Sequence, residues 1–134
     1  MTTPKIERLD IRSSDDVVRV RQLARTLALG AGLSLVDQTK IITAASELAR
    51  NTLDYGGGGF VVAELVEASG RRGLRLTFED KGPGIPDIDA ALKDGFTTGK
   101  GMGLGLGGAR RLSNEFSIHS KPGEGTKVVI ARWK

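Results

Sequence analysis

A chain of 134 residues, 39% apolar and 27% charged, has the composition of one globular domain and not of a disordered segment. It has no cysteine and one histidine, His119, which excludes disulfides, thiol catalysis and a histidine-rich metal site. The net charge of +4 is scattered along the chain and few aromatic residues accompany it, so a solvated basic surface is expected, with no nucleic acid as partner.

Residues 5–11 alternate polar and apolar, as a half-buried strand does. Ser13 or Ser14 then offers an N-cap, with Asp15 and Asp16 in the first turn. Val17, Val20, Leu23, Ala24, Leu27 and Ala28 follow at helical spacing, and the helix should stop near Gly30 to Gly32. Ser34 opens a second helix, with Asp37 in a variant capping box and a buried side of Ile41, Ala44, Ala45, Leu48 and Thr52. After a glycine turn at 56–59, residues 60–67 and 74–79 read as strands, with 70–73 as their hairpin connection. Residues 80–86 form a Gly/Pro turn and 87–93 a short helix. The glycine-rich stretch 95–105 has no periodicity and is expected to be a mobile loop, especially without ligand. A helix at 106–114 and strands at 115–120 and 127–133 complete the order. Hairpins dominate, so the sheet should be largely antiparallel with the helices on one face. No apolar run approaches the roughly 20 residues of a membrane span, and residues 1–10 do not form a secretory signal. A cytoplasmic protein with no membrane partner is expected.

Three groups of residues are suited to chemistry. Glu47 and Asn51 lie four apart on the second helix, hence on one face a turn apart. A carboxylate there can take a proton from a hydroxyl, and an amide oxygen is a hard ligand suited to Mg²⁺. Taken alone, that pair is better explained by an ordinary solvated helix face. Asp80 ends a strand and begins Asp80-Lys81-Gly82-Pro83-Gly84, where a carboxylate can accept the amine of adenine; a plain turn uses the same residues. The run from Gly99 through Lys100, Gly101, Gly103, Gly105 and Gly108 leads straight into a helix. Its bare backbone N–H groups suit phosphate better than they suit a linker, which would carry Ser in place of Met and Leu. Two look-alikes fail. Residues 95–101 lack the spacing and the Ser or Thr of a P-loop, and Gly103, Gly105 and Gly108 match G-x-G-x-x-G without a preceding strand. Thr126, in Gly123-Glu124-Gly125-Thr126, precedes the last strand.

Read in order, Glu-x-x-x-Asn on a helix, Asp-x-Gly-x-Gly after a strand, a glycine-rich lid and Gly-x-Gly-Thr resemble the GHKL ATPase superfamily of gyrase, Hsp90, MutL and histidine kinases. The stretches 42–51, 79–86, 94–108 and 115–126 are closer still to the RsbT-type serine/threonine switch kinases of the bacterial stressosome. The resemblance implies the Bergerat ATP-binding fold: an α/β two-layer sandwich with a mixed, mostly antiparallel sheet, as a single domain over 1–134 with a lid at about 95–105. It implies ATP and Mg²⁺, with Glu47 as general base and Asn51 on the metal. Asp80 would bind adenine with help from Gly82, Gly84 and Thr126. Lys100, Gly101, Gly103 and Gly105 would attend the phosphates, and Arg50 is a weaker phosphate candidate.

The short chain leaves no room for the mechanical domains of gyrase, Hsp90 or MutL. His119, in an expected strand, does not suit a phosphoacceptor histidine. The acceptor is therefore expected on another protein. The resemblance implies phosphorylation of STAS-domain antagonist and scaffold proteins and, after release, activation of a PP2C-type phosphatase. The alternatives are an anti-sigma factor kinase that holds a sigma factor directly, and a nucleotide-dependent binding module with little kinase activity.

Overall fold

The computed structural model describes residues 6–85, 87–92 and 105–134. In chain order they form β1 (Ile6–Ile11), α1 (Ser14–Gly30), α2 (Leu35–Asp54), β2 (Gly59–Ala68), β3 (Arg71–Asp80), α3 (Ile88–Ala91), α4 (Gly105–Arg111), β4 (Glu115–Lys121) and β5 (Gly125–Trp133). The five strands make one sheet in the order β1-β2-β3-β5-β4. Every pairing is antiparallel, so the parallel component of a mixed sheet is absent among the described residues.

Both long helices start where their caps predict. Asp16 reaches back to accept the N–H groups of Arg12 at 2.8 Å and Ser13 at 3.2 Å. Those bonds, the Arg12 N–H first, hold its carboxyl below the usual carboxylate range even though its partial desolvation opposes them. Ser34 Oγ accepts the Asp37 N–H at 3.1 Å and fixes the first turn of α2.

Register decides which strand residues meet the helices. Phe78 lies across from Val128 and Leu76 across from Ile130. Val61 and Ala63 of β2 share their face, and all six are buried. With Val20 and Leu27 of α1 and Ile41 and Leu48 of α2 they form a continuous core between helices and sheet. The alternate row, with Arg75 and Lys127 exposed, faces away. The result is a two-layer α/β sandwich.

Two boundaries differ from expectation for identifiable reasons. The β2–β3 connection is a two-residue turn at Ser69 and Gly70, both with left-handed φ (54° and 77°), rather than residues 70–73. Gly73 belongs to the strand because the Trp133 ring covers it: a Cβ there would come within 2.7 Å of the indole. The helix expected at 106–114 ends at Arg111 because the sheet takes Asn114. Its N–H donates to the Ala131 carbonyl at 2.9 Å and its side-chain oxygen accepts the Trp133 N–H at 2.7 Å.

Candidate functional site

The site is assembled where the C-terminal end of α2 meets the end of β3. Asn51 lies one turn before the helix ends, and its carbonyl accepts the N–H groups of Tyr55 at 2.9 Å and Gly56 at 3.1 Å. Gly56 then lies directly against Asp80: a Cβ on Gly56 would overlap the Asp80 carboxyl group. Gly82 packs on the same glycine, where an added Cβ would sit 2.7 Å from the Gly56 Cα. Two glycines thus let the helix end and the strand end close on each other, which places the turn bearing Asn51 beside Asp80. Glu47 and Asn51 are both half-buried at the margin of the helix's core face. Arg50 is also half-buried on α2.

Asp80 is half-buried and accepts the Gly82 N–H at 2.9 Å. Burial pushes its carboxyl above the usual range, and the N–H groups of Gly82 and Thr126 pull it back only in part. Thr126 lies directly across from Asp80 on β5 and across from Ser120 on β4. Its hydroxyl is 2.9 Å from Ser120 Oγ. Gly84, with φ of 79°, turns its bare Cα against the Lys121 backbone. It supports the turn after Asp80 in a conformation that a side chain would strain.

Asp80 and Thr126 open on a cavity of about 480 Å³, also lined by Ile88, Ile118, Ser120 and Lys127. That volume suits a nucleotide-sized ligand; Ile88 and Ile118 are the apolar side chains of a lining that is otherwise mostly polar or charged. Gly105 is buried at the start of α4, which packs on α2. Lys100, Gly101, Gly103 and the rest of the expected lid, with its expected mobility, lie outside the described residues. His119 is exposed on β4.

Among the described residues no group of three or more His, Cys, Asp or Glu side chains is placed to hold a metal. The amide oxygen of an asparagine such as Asn51 is a hard donor of the kind Mg²⁺ takes, and Mg²⁺ carried by a nucleotide needs few protein ligands because phosphate oxygens and water complete its shell. No described helix is long and apolar enough to cross a membrane.

Sequence reasoning missed Tyr55 and Ser120. The Tyr55 hydroxyl donates to the Gly84 carbonyl at 2.7 Å, and Ser120 Oγ accepts the Ile85 N–H at 2.7 Å. A signal for Ser120 existed: it is in phase with the inward-facing Phe116 and Ile118, a polar residue where the strand pattern calls for an apolar one. Tyr55 gave no comparable signal, because its partner is 29 residues away.

A two-layer sandwich with a polar cavity at the end of the sheet, beside the contact of Gly56 with Asp80, fits a nucleotide-binding domain, and comparison with known proteins names the class. The chain belongs to the histidine kinase-, DNA gyrase B- and HSP90-like ATPases, whose family profile matches residues 36–134. ATP is therefore the nucleotide for which this domain is built. The chain is 48% identical over 118 residues to the serine/threonine-protein kinase RsbT of Bacillus subtilis (strain 168), covering 88% of this chain and 89% of that protein. In fold it resembles the crystal structure of the RsbU and RsbW domains of a Mycobacterium tuberculosis protein, with TM-score 0.66 and 22% identity. That match covers 98% of this chain but only 32% of the other, so this chain spans about a third of it. The histidine kinase domain of a blue-light-activated kinase from Erythrobacter litoralis is similar at TM-score 0.52 and 22% identity, over 87% of this chain and 59% of that one.

Proposed function

We propose that this chain acts as a single ATP-binding kinase domain over 1–134 in bacterial partner switching, phosphorylating a Ser or Thr of an STAS-domain antagonist or scaffold protein. It is a serine/threonine-protein kinase of the ATPase family to which it belongs. The observation that carries the reading is the meeting of the Asn51 turn of α2 with Asp80 through Gly56, beside a nucleotide-sized cavity.

Asp80 would receive the adenine amine on its carboxylate, with the Thr126 hydroxyl completing the ring's polar contacts. Ile88 and Ile118 would flank the ring. Asn51 would hold Mg²⁺ through its amide oxygen, and the metal supplies charge neutralisation at the phosphates. Glu47, one turn back on the same face, would accept the proton of the acceptor hydroxyl as that oxygen bonds to the γ-phosphorus. The bond from the γ-phosphorus to the β-phosphate oxygen breaks and ADP leaves. Lys100 and the glycines of the segment 95–105 would close over the triphosphate. When released from the STAS protein, the kinase would bind and activate a PP2C-type phosphatase in the cytoplasm.

The test is transfer of radioactive phosphate from Mg-ATP to a cognate STAS protein. Glu47→Ala is expected to cut transfer by about 100-fold or more with ATP still bound, and Asn51→Ala to lose transfer and Mg-dependent ATP binding together. Undiminished transfer in both variants would overturn these roles. A pull-down with Mg-ATP that recovers a sigma factor and no STAS protein would replace the proposed partner.

A further inference from the structure

The peptide unit between Gly84 and Ile85 is gripped at both poles. Its carbonyl accepts the Tyr55 hydroxyl at 2.7 Å. Its N–H donates to Ser120 Oγ at 2.7 Å. Tyr55 caps α2, the helix that carries Glu47 and Asn51. Ser120 faces Thr126 across the β4–β5 ladder and touches its hydroxyl. Both bonds come from side chains to a loop that no ladder supports. One peptide earlier, the Pro83 carbonyl accepts the Gly123 N–H at 2.8 Å, and the Lys121 backbone blocks Gly84 from behind. The turn after Asp80 is therefore tied to the helix on one side and the sheet on the other.

We propose that Tyr55 and Ser120 are positioning residues that hold the turn after Asp80, and with it the place of the Asp80 carboxylate and the preference for adenine over guanine. The inference rests on the ATP-binding reading of the same cavity. The N–H groups of Gly82 and Thr126 engage the Asp80 carboxylate, whose roughly four lone-pair sites leave acceptor capacity for a ring amine. Adenine presents an amine at C6, whereas guanine presents a carbonyl that the carboxylate repels. Guanine evades that repulsion only by sliding sideways, so that its N1–H and N2 amine reach the carboxylate instead. A carboxylate held in place by a turn tied at Gly84–Ile85 forbids the slide. A turn that has come loose there lets Asp80 follow the ring and permits it.

Mg-ATP and Mg-GTP are titrated calorimetrically onto the full chain as wild type, Tyr55→Phe, Ser120→Ala and Ser120→Thr. Tyr55→Phe and Ser120→Ala are each expected to weaken ATP about three- to tenfold and to narrow the ATP-to-GTP preference. Ser120→Thr keeps the hydroxyl and should restore both. The Ile85 amide should exchange its hydrogen faster in Tyr55→Phe and Ser120→Ala. KM for ATP should rise in these variants, with kcat at saturating ATP held within about twofold. Because both bonds grip one peptide, the double variant should be no weaker than about twofold beyond the worse single.

An unchanged ATP-to-GTP ratio in both single variants overturns the inference, as does Ile85 exchange at the wild-type rate. Loss in the double variant equal to the product of the two single losses also overturns it. Wild type that binds ATP but transfers no phosphate sinks the kinase reading alone, since binding is the readout here. Wild type that binds neither nucleotide sinks both.

Discussion

Asp80 is where burial opposes the charge that its proposed role requires. Its carboxyl is raised chiefly by desolvation, so the folded protein holds its proton more tightly than the unfolded chain does. The charged form therefore costs stability above the raised value. The cost fades as pH falls through it and is gone below the ordinary carboxylate value. Asp80→Asn should accordingly melt at or above wild type near neutral pH without nucleotide, with the gap closing in acid. The same variant should lose ATP binding, because an amide can present its N–H₂ to the adenine amine. For wild type, ATP affinity measured by calorimetry should weaken as pH falls through the raised Asp80 value. Gly56→Ala makes a second check on the site. The conflict is with the Asp80 carboxyl itself, and calorimetry should show ATP affinity reduced at least about tenfold. Asp80 and Asn51 were both legible in the sequence as residue types. Their meeting was not, because it depends on Gly56, which reads as one member of a featureless glycine run.

At the scale of elements, Arg132 of β5 joins three parts of the fold. It donates to the Leu112 carbonyl just past α4 at 3.1 Å and to Asp37 in the first turn of α2 at 2.8 Å. Its guanidinium holds the Asp37 carboxyl below the usual range. A lowered value contributes stability that is present above the unfolded value and lost as pH falls through the folded one. The side chains keep only 13% and 28% exposure, so solvent screens this pair less than it screens the surface pairs. Denaturant melts should show Asp37→Asn destabilising by about 1 kcal/mol at neutral pH, with the difference shrinking in acid. Arg132→Met should cost more, roughly 2 kcal/mol, because the Leu112 carbonyl also loses its partner. The caps at Ser13 and Ser34 were readable because a cap acts within four residues. The Arg132 bracket was not, since Arg132 and Asp37 stand 95 residues apart.

For the whole molecule, a nucleotide that bridges α2 and the sheet should stabilise the folded state by mass action. Mg-ATP at about a hundred times its Kd is worth about 2.7 kcal/mol, roughly a 10 °C rise in Tm for a chain of this size. Differential scanning should show that rise in wild type and none in Asp80→Asn. GTP should give a smaller shift than ATP. A wild-type Tm that ATP leaves unmoved would remove the basis for every role proposed at this cavity.

What the sequence determined by itself was local and periodic. Helical spacing from Val17 to Ala28 and from Ile41 to Thr52 and alternation along the strands carried the architecture, and the ordered motifs at Glu47, Asn51, Asp80 and Thr126 carried the residue types of the candidate site. Only the tertiary structure decided the length of the β2–β3 turn, the end of α4, and the clamp of Tyr55 and Ser120 on one peptide. The physical reason is the same each time. Gly73 under Trp133, Asn114 taken by β5, and Gly84–Ile85 held between helix and sheet all answer to neighbours that the chain brings close only by folding.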